Sequence, residues 1–351
     1  MSHPNAQADP LNSAAEPALR RVGPVITLLL LSPIIGEVLF GATRITTILV
    51  LLPQIGIWGC AALLIREIVR RRRLGWPSIL LLGIALAIAE ECLIQQTSLA
   101  PLPGVDPERP YGRVLGVNWV YFLWAIGYES VWIVVLPIQL TELIFPASRN
   151  EPWIRTRGLI ISTMAFALSS FVAWYSWTQL YVPQYFPELA YRLPLSAAVI
   201  ASAAILALAY TAVTRQPRDH TFPETTRSAQ EPWRVGLITS VVAMPWFGLV
   251  LLAYNAFPVL PAAIPLAAGL ALAILAYTLI ERWSQSTEWR DSSRLALVCG
   301  GLMASMLAGF LIFKLGGAQP VDVVGKLILN VVAVLCLVRL ARKSPGRPSI
   351  T

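Results

Sequence analysis

Residues 87–97 read AIAEECLIQQT: two adjacent glutamates, Glu90 and Glu91, then Gln95 and Gln96, inside an otherwise apolar run. That run, 77–97, is long enough to cross a hydrocarbon core of roughly 30 Å as a helix. An ionised side chain at such depth costs roughly 2.5 kcal/mol or more on insertion scales. The meaning of the stretch therefore depends on whether the chain is a membrane protein. Composition answers this. Of 351 residues, 56% are hydrophobic and 13% charged, where a soluble globular chain carries about 25% charge. The mean hydropathy is +0.65.

Working outward from this run, the apolar pattern recurs along the chain. It predicts ten spans, at about 24–42, 46–68, 77–97, 117–145, 157–182, 194–214, 235–256, 260–282, 294–314 and 320–340. Spans four and five are long enough to tilt or to extend into the interface. Helices satisfy their own backbone groups in lipid, so the fold class is all-α, a polytopic transmembrane bundle.

The net charge is +8 and the pI near 9.6. In a soluble chain this would suggest nucleic acid. Here the basic residues fall in alternate loops: Arg20 and Arg21, REIVRRRR (66–73), Arg149 to Arg157, Arg215 to Arg234, Arg282 to Arg294, and Arg339 to Arg347. Arg109, Arg113 and Arg192 are the main exceptions. With ten spans every basic cluster falls on one side, so both termini are expected in the cytoplasm of a bacterial cell, with the bundle in its inner membrane. The partners expected are membrane lipids, not nucleic acid.

The expected organisation is a polar, disordered cytoplasmic tail (1–22), helices one to six with a candidate acidic site (23–214), a cytoplasmic linker (215–234), helices seven to ten (235–343) and a short cytoplasmic tail (344–351). The linker suggests a division into six plus four helices. The Pro/Gly-rich 98–116 connection is expected to fold over the outer face. Aromatics near helix ends, such as WVYFLW (119–124), Trp76 and Trp153, read as an interfacial belt.

Cys60, Cys92, Cys299 and Cys336 all lie in apolar runs without CxxC spacing, so they read as small apolar fillers. His3 and His220 are the two histidines, and both fall in polar segments. No metal site and no cofactor is expected. There is no Walker A, GxSxG or HExxH motif, and no aspartate lies deep in a span.

Helical rise places Glu37, Glu90, Glu91 and Glu129 in one layer, Glu37 and the pair being roughly 20 Å from the cytoplasmic side. Gly83, Ala87, Glu91 and Gln95 follow at i+4 and form a ridge, small below and polar above. Small residues let a neighbouring helix approach. The same reasoning places Gln54 and Asn118 near this layer, and Lys326 is the internal cation best placed to compensate it. Arg66 and Glu67, nearer the cytoplasm, are expected to snorkel. Four carboxylates in one dry pocket cannot all be ionised, because desolvation and mutual repulsion favour the neutral acid.

The adjacent glutamates resemble the first motif, EExxxR, of the CPBP family, the CAAX-prenyl protease and bacteriocin-processing type intramembrane proteases. That resemblance implies a helical membrane fold in which glutamate and histidine activate water. Gln95 stands where that motif has arginine, Ile126 where the later FxxxH has histidine, and Glu129 is the acid–base group of that helix. The function expected from the residues is therefore non-catalytic: an acidic cavity formed by Glu37, Glu90, Glu91, Gln95 and Glu129, with Lys326. It would bind a small cation, an amine or a lipid-like headgroup, with transport among its roles. The alternatives are a divergent CPBP-like endopeptidase and a structural partner subunit.

Overall fold

The computed structural model describes residues 10–102, 105, 111–215, 230–254 and 260–343, with side chains from residue 22 onward except 314 and 315. Ten helices among these residues are long and apolar enough to cross a membrane. They are α1 (Val22–Leu39), α2 (Ile45–Arg71), α3 (Trp76–Ile94), α4 (Trp119–Ile144), α5 (Thr156–Tyr185), α6 (Leu195–Thr214), α7 (Pro232–Ala253), α8 (Ala263–Ser284), α9 (Asp291–Phe313) and α10 (Pro320–Lys343). The helix containing α1 begins at Pro10, so residues 10–22 are helical where a disordered tail was expected. The 1–9 segment, most of the 215–234 linker and the 344–351 tail lie outside the described residues.

The central helix is α4. It touches α1, α2, α3, α7, α8 and α9. Its core face carries Trp124, Tyr128 and Trp132 at i+4 spacing, stacked at 5.0 and 5.6 Å between ring centroids. Phe40 and Phe247 close around this ladder, at 4.9 Å from Tyr128 and 5.1 Å from Trp132. The aromatic run was expected at the interface, but Trp124 is buried: four-residue spacing turns it inward with its two partners. Trp132 Nε1 donates to Gly301 O of α9 at 2.9 Å, and Trp246 Nε1 of α7 donates to Trp124 O at 3.1 Å.

The helices do not divide into six plus four. Helices α7 and α9 pack on α4, while α5, α6 and α8 lie at the periphery with their apolar faces largely exposed. Lipid supplies no hydrophobic drive between helices, so close backbone approach has to. At the α7–α9 contact a Cβ on Gly300 would lie 2.4 Å from Gly236 O, and Ser240 Oγ donates to Gly300 O at 3.0 Å.

The two ends of the bundle differ. At the arginine-rich end, Arg66 is wholly buried and uses all five of its donors. Nε meets Glu142 at 3.2 Å, Nη1 meets Glu67 Oε1 at 3.2 Å and Glu151 O at 2.8 Å, and Nη2 meets the carbonyls of Ser148 and Arg149 at 3.3 and 2.6 Å. Its guanidinium stacks 3.4 Å above Trp153. Arg70 grips Glu142 bidentately at 2.8 and 2.6 Å, and Arg149 grips Asp291 at 2.8 and 2.7 Å. Arg66 and Glu67 therefore do not snorkel; they tie α2 to the α4–α5 connection. Trp153 is part of this lock and not of an interfacial belt.

At the opposite end a hairpin, β1 (Arg113–Val114) and β2 (Val117–Asn118), turns through Leu115 and Gly116, both with positive φ. That is the geometry of a two-residue type I′ turn. Burial lowers the Arg113 side chain's pKa from its ordinary value, and its guanidinium clamps the carbonyls of Leu99 and Ala100. Asn118 caps α4 by accepting from Tyr121 N at 3.1 Å, and so does not join the carboxylates.

Candidate functional site

The spans are not uniformly α-helical. Five π-helical turns interrupt them, at Ile34–Leu39, Ile55–Gly59, Glu90–Ile94, Glu129–Val135 and Tyr175–Tyr181. Three of the five carry all four glutamates of the expected layer. Proline explains several of them. It has no N–H to give the carbonyl four residues back and its ring crowds that carbonyl. Pro33 and Pro53 shortly precede the first two turns, and Pro137 and Pro183 shortly follow the last two. Pro137 leaves Ile133 O without its helical donor, and Ser32 Oγ of α1 supplies one at 2.7 Å. The Glu90–Ile94 turn has no proline. It closes with Gln95 N and Gln96 N both donating to Glu90 O, at 2.9 and 3.1 Å, and the chain then leaves through a positive φ at Gln96. A π turn widens the helix by one residue and re-aims what it carries, and such turns recur at functional sites.

These turns bring four carboxyl groups from α1, α3 and α4 within electrostatic reach of one another: Glu129 interacts with Glu91, Glu90 and Glu37, and Glu90 with Glu91 and Glu37. The approach of α3 to α4 is set at Gly83, where a Cβ would lie 3.2 Å from the Ser130 backbone. Each carboxyl has different surroundings. Glu37 is half-buried. Its Oε2 accepts from Thr43 Oγ1 at 3.1 Å, and Gln54 Nε2 donates to the same hydroxyl at 2.8 Å. Glu91 is buried. Its Oε2 accepts from Thr97 Oγ1 at 2.7 Å and from Ser98 Oγ at 2.6 Å, and its carboxyl lies within hydrogen-bonding range of Glu129. Glu129 is buried, with Oε2 lacking a partner. Glu90 is 0% exposed, and neither of its oxygens has a hydrogen-bond partner.

Hydroxyls continue outward from Glu91. Tyr121 and Tyr254 stand beside Glu91, their rings edge to face with centroids 6.0 Å apart, and Tyr254 is 39% exposed. Tyr191 OH donates to Gln96 Oε1 at 3.0 Å and steadies the left-handed residue. Burial pushes the Tyr191 phenol up, which keeps it a donor.

The structure does not bring Lys326 or Gln95 into this group in the way expected. Lys326 is buried, but Nζ donates to Leu39 O at the end of the first π turn and sits 4.7 Å over the Phe310 ring. It satisfies a freed helix carbonyl and forms no ion pair with a glutamate. Gln95 is half-buried, and it serves the site through its backbone N–H to Glu90 O. Ile126, standing where the resembled family has a histidine, lines a crevice on a different side of α4. Sequence reasoning missed Thr43, Thr97, Ser98, Tyr121 and Tyr254. The hydroxyls directly after an acidic pair were a readable signal for carboxylate donors.

Among the described residues no three His, Cys, Asp or Glu side chains are disposed to hold a metal ion between them. The arrangement can stabilise one negative charge at Glu91, hold a proton between Glu91 and Glu129, and offer Glu90 to a positive group.

The model of an uncharacterized membrane protein family matches residues 26–342, and the chain belongs to that family. It is a multi-pass membrane protein. No curated protein and no solved structure matches it.

Proposed function

We propose that the glutamate cluster is a cation/proton exchange site within the membrane, binding a small monovalent cation or the protonated amine of a lipid-like headgroup. The observation that carries this reading is Glu90, wholly buried with both carboxyl oxygens unpartnered. A buried carboxylate without donors or a counter-ion costs several kcal/mol, so without a paired cation Glu90 is held as the neutral acid. Glu91 differs: two hydroxyls donate to it, and the proton it shares with Glu129 completes its shell. An arriving cation makes the Glu90 carboxylate affordable by pairing with it, and the Glu90 proton leaves. Because among the described residues no three His, Cys, Asp or Glu side chains are disposed to cage a metal, a monovalent or organic cation fits better than a divalent ion.

The sign of the pH dependence follows from the exchange. Cation binding requires the ionised acid, so affinity falls as pH falls and each cation bound releases one proton. The test uses radiolabelled methylammonium and purified full-length chain in nanodiscs. Saturable binding that weakens with acid and is lost in Glu90→Gln supports the reading. Binding unchanged in that variant overturns it.

A second reading rests on the Glu91–Glu129 contact. Two carboxyls sharing a proton can activate water, as in aspartic proteases, which would make the site a divergent peptidase. Peptide cleavage abolished by Glu129→Gln, with no methylammonium binding in the unaltered chain, would favour it.

The arginine-rich end is assigned to the cytoplasm by the positive-inside pattern, with the carboxylates in the outer half of the bilayer.

A further inference from the structure

A second cavity lies on another side of α4. It is a crevice of about 870 Å³ walled by α3, α4, α7, α8 and α9. None of the four glutamates lines it. Its trunk is apolar, running along α4 from Gln139 to Leu123 against Ala273 and Ala276 of α8. Sixteen residues of helical rise make it about 24 Å long, which exceeds one leaflet's roughly 15 Å.

Its charged residues are all arginines, Arg70, Arg73 and Arg294, gathered at the arginine-rich end. Arg70 is committed to Glu142. Among the described residues neither Arg73 nor Arg294 forms an ion pair, although Arg294 lies within electrostatic reach of Asp291 and Glu142, which Arg149 and Arg70 already hold, and no carboxylate lines the crevice. Two polar atoms on its wall, Trp76 Nε1 and Thr239 Oγ1, are buried without a partner. Helix α8, which forms the outer wall, is among the least buried spans.

We propose that this crevice binds an anionic phospholipid, its phosphate against Arg73 and Arg294 and an acyl chain along α4 and α8. Charge complementarity selects the headgroup, because a mouth lined by three arginines and no carboxylate matches a phosphodiester and repels a cation. The trunk requires a chain: an inorganic anion would leave most of the volume apolar and unfilled. The thin α8 wall gives lateral access from the leaflet.

The test is native mass spectrometry of the full-length chain in mixed micelles with equimolar dioleoylphosphatidylglycerol and dioleoylphosphatidylcholine. The expected result is one retained phosphatidylglycerol, favoured about tenfold over phosphatidylcholine. Arg73→Asn should reduce that preference severalfold while keeping the backbone, because asparagine tolerates the positive φ found at Arg73. Ala276→Trp should fill the trunk and abolish retention with both arginines intact. Equal retention of the two lipids would show annular lipid only and overturn the proposal. So would retention unaffected by Ala276→Trp, or complete displacement by inorganic phosphate, which would show a free-anion site. Arg73→Lys restoring the preference that Arg73→Asn removes would confirm the role of charge, independently of how well the tryptophan variant folds.

Discussion

At Glu91 two hydroxyls and a second carboxyl converge, whereas Glu90, one residue and about 100° around the helix, meets no donor at all. Sequence placed both at one depth and could not separate them, because what separates them is donors contributed after the helix ends, by Thr97 and Ser98. The assignment of the shared proton to Glu129 has a direct consequence. Glu129→Gln keeps an N–H facing Glu91, so the protein should fold with an unchanged thermal midpoint and still bind methylammonium. Marked destabilisation of that variant would place the proton elsewhere. Arg66 is the contrasting case. Its five donors are all used in a buried network, so Arg66→Ala leaves the Ser148, Arg149 and Glu151 carbonyls without that donor and removes a cation from between Glu67 and Glu142, and should cost about 3–5 kcal/mol. Denaturant unfolding in micelles would measure this, and a loss below about 1 kcal/mol would class the network with weak surface pairs.

The helices themselves were legible from hydropathy, to within a few residues at most ends, because a membrane span is set by length and apolarity. The π turns were not. They arise from the competition between a helix's own hydrogen bonds and a neighbour's side chain, as when Ser32 takes up the carbonyl that Pro137 leaves free. Prolines 33, 53, 137 and 183 marked four of these turns in the sequence; nothing comparable marked the turn at Glu90–Ile94. If that turn aims the acidic pair, removing its extra residue should restore α-helix and misdirect the carboxyls. Deletion of Cys92 is expected to leave helix content and monodispersity intact while abolishing methylammonium binding. Binding that survived the deletion would detach the site from the π geometry.

For the molecule as a whole, the long 215–234 connection suggested two blocks, yet packing unites α7 and α9 with α4. The length of a connection says nothing of which helices touch. Loop charge, by contrast, predicts orientation. Reporter fusions after Lys343 should read as cytoplasmic and insertions near Gly116 as external; an external C-terminus would reverse the sidedness of the carboxylate layer. In the proposed exchange a cation displaces the Glu90 proton inside this bundle. Infrared difference spectroscopy on the full-length protein, with and without methylammonium at constant pH, observes that proton directly. Adding the cation is expected to remove one neutral-carboxyl band from the unaltered protein and none from Glu90→Gln. Identical difference spectra from the two proteins would contradict it.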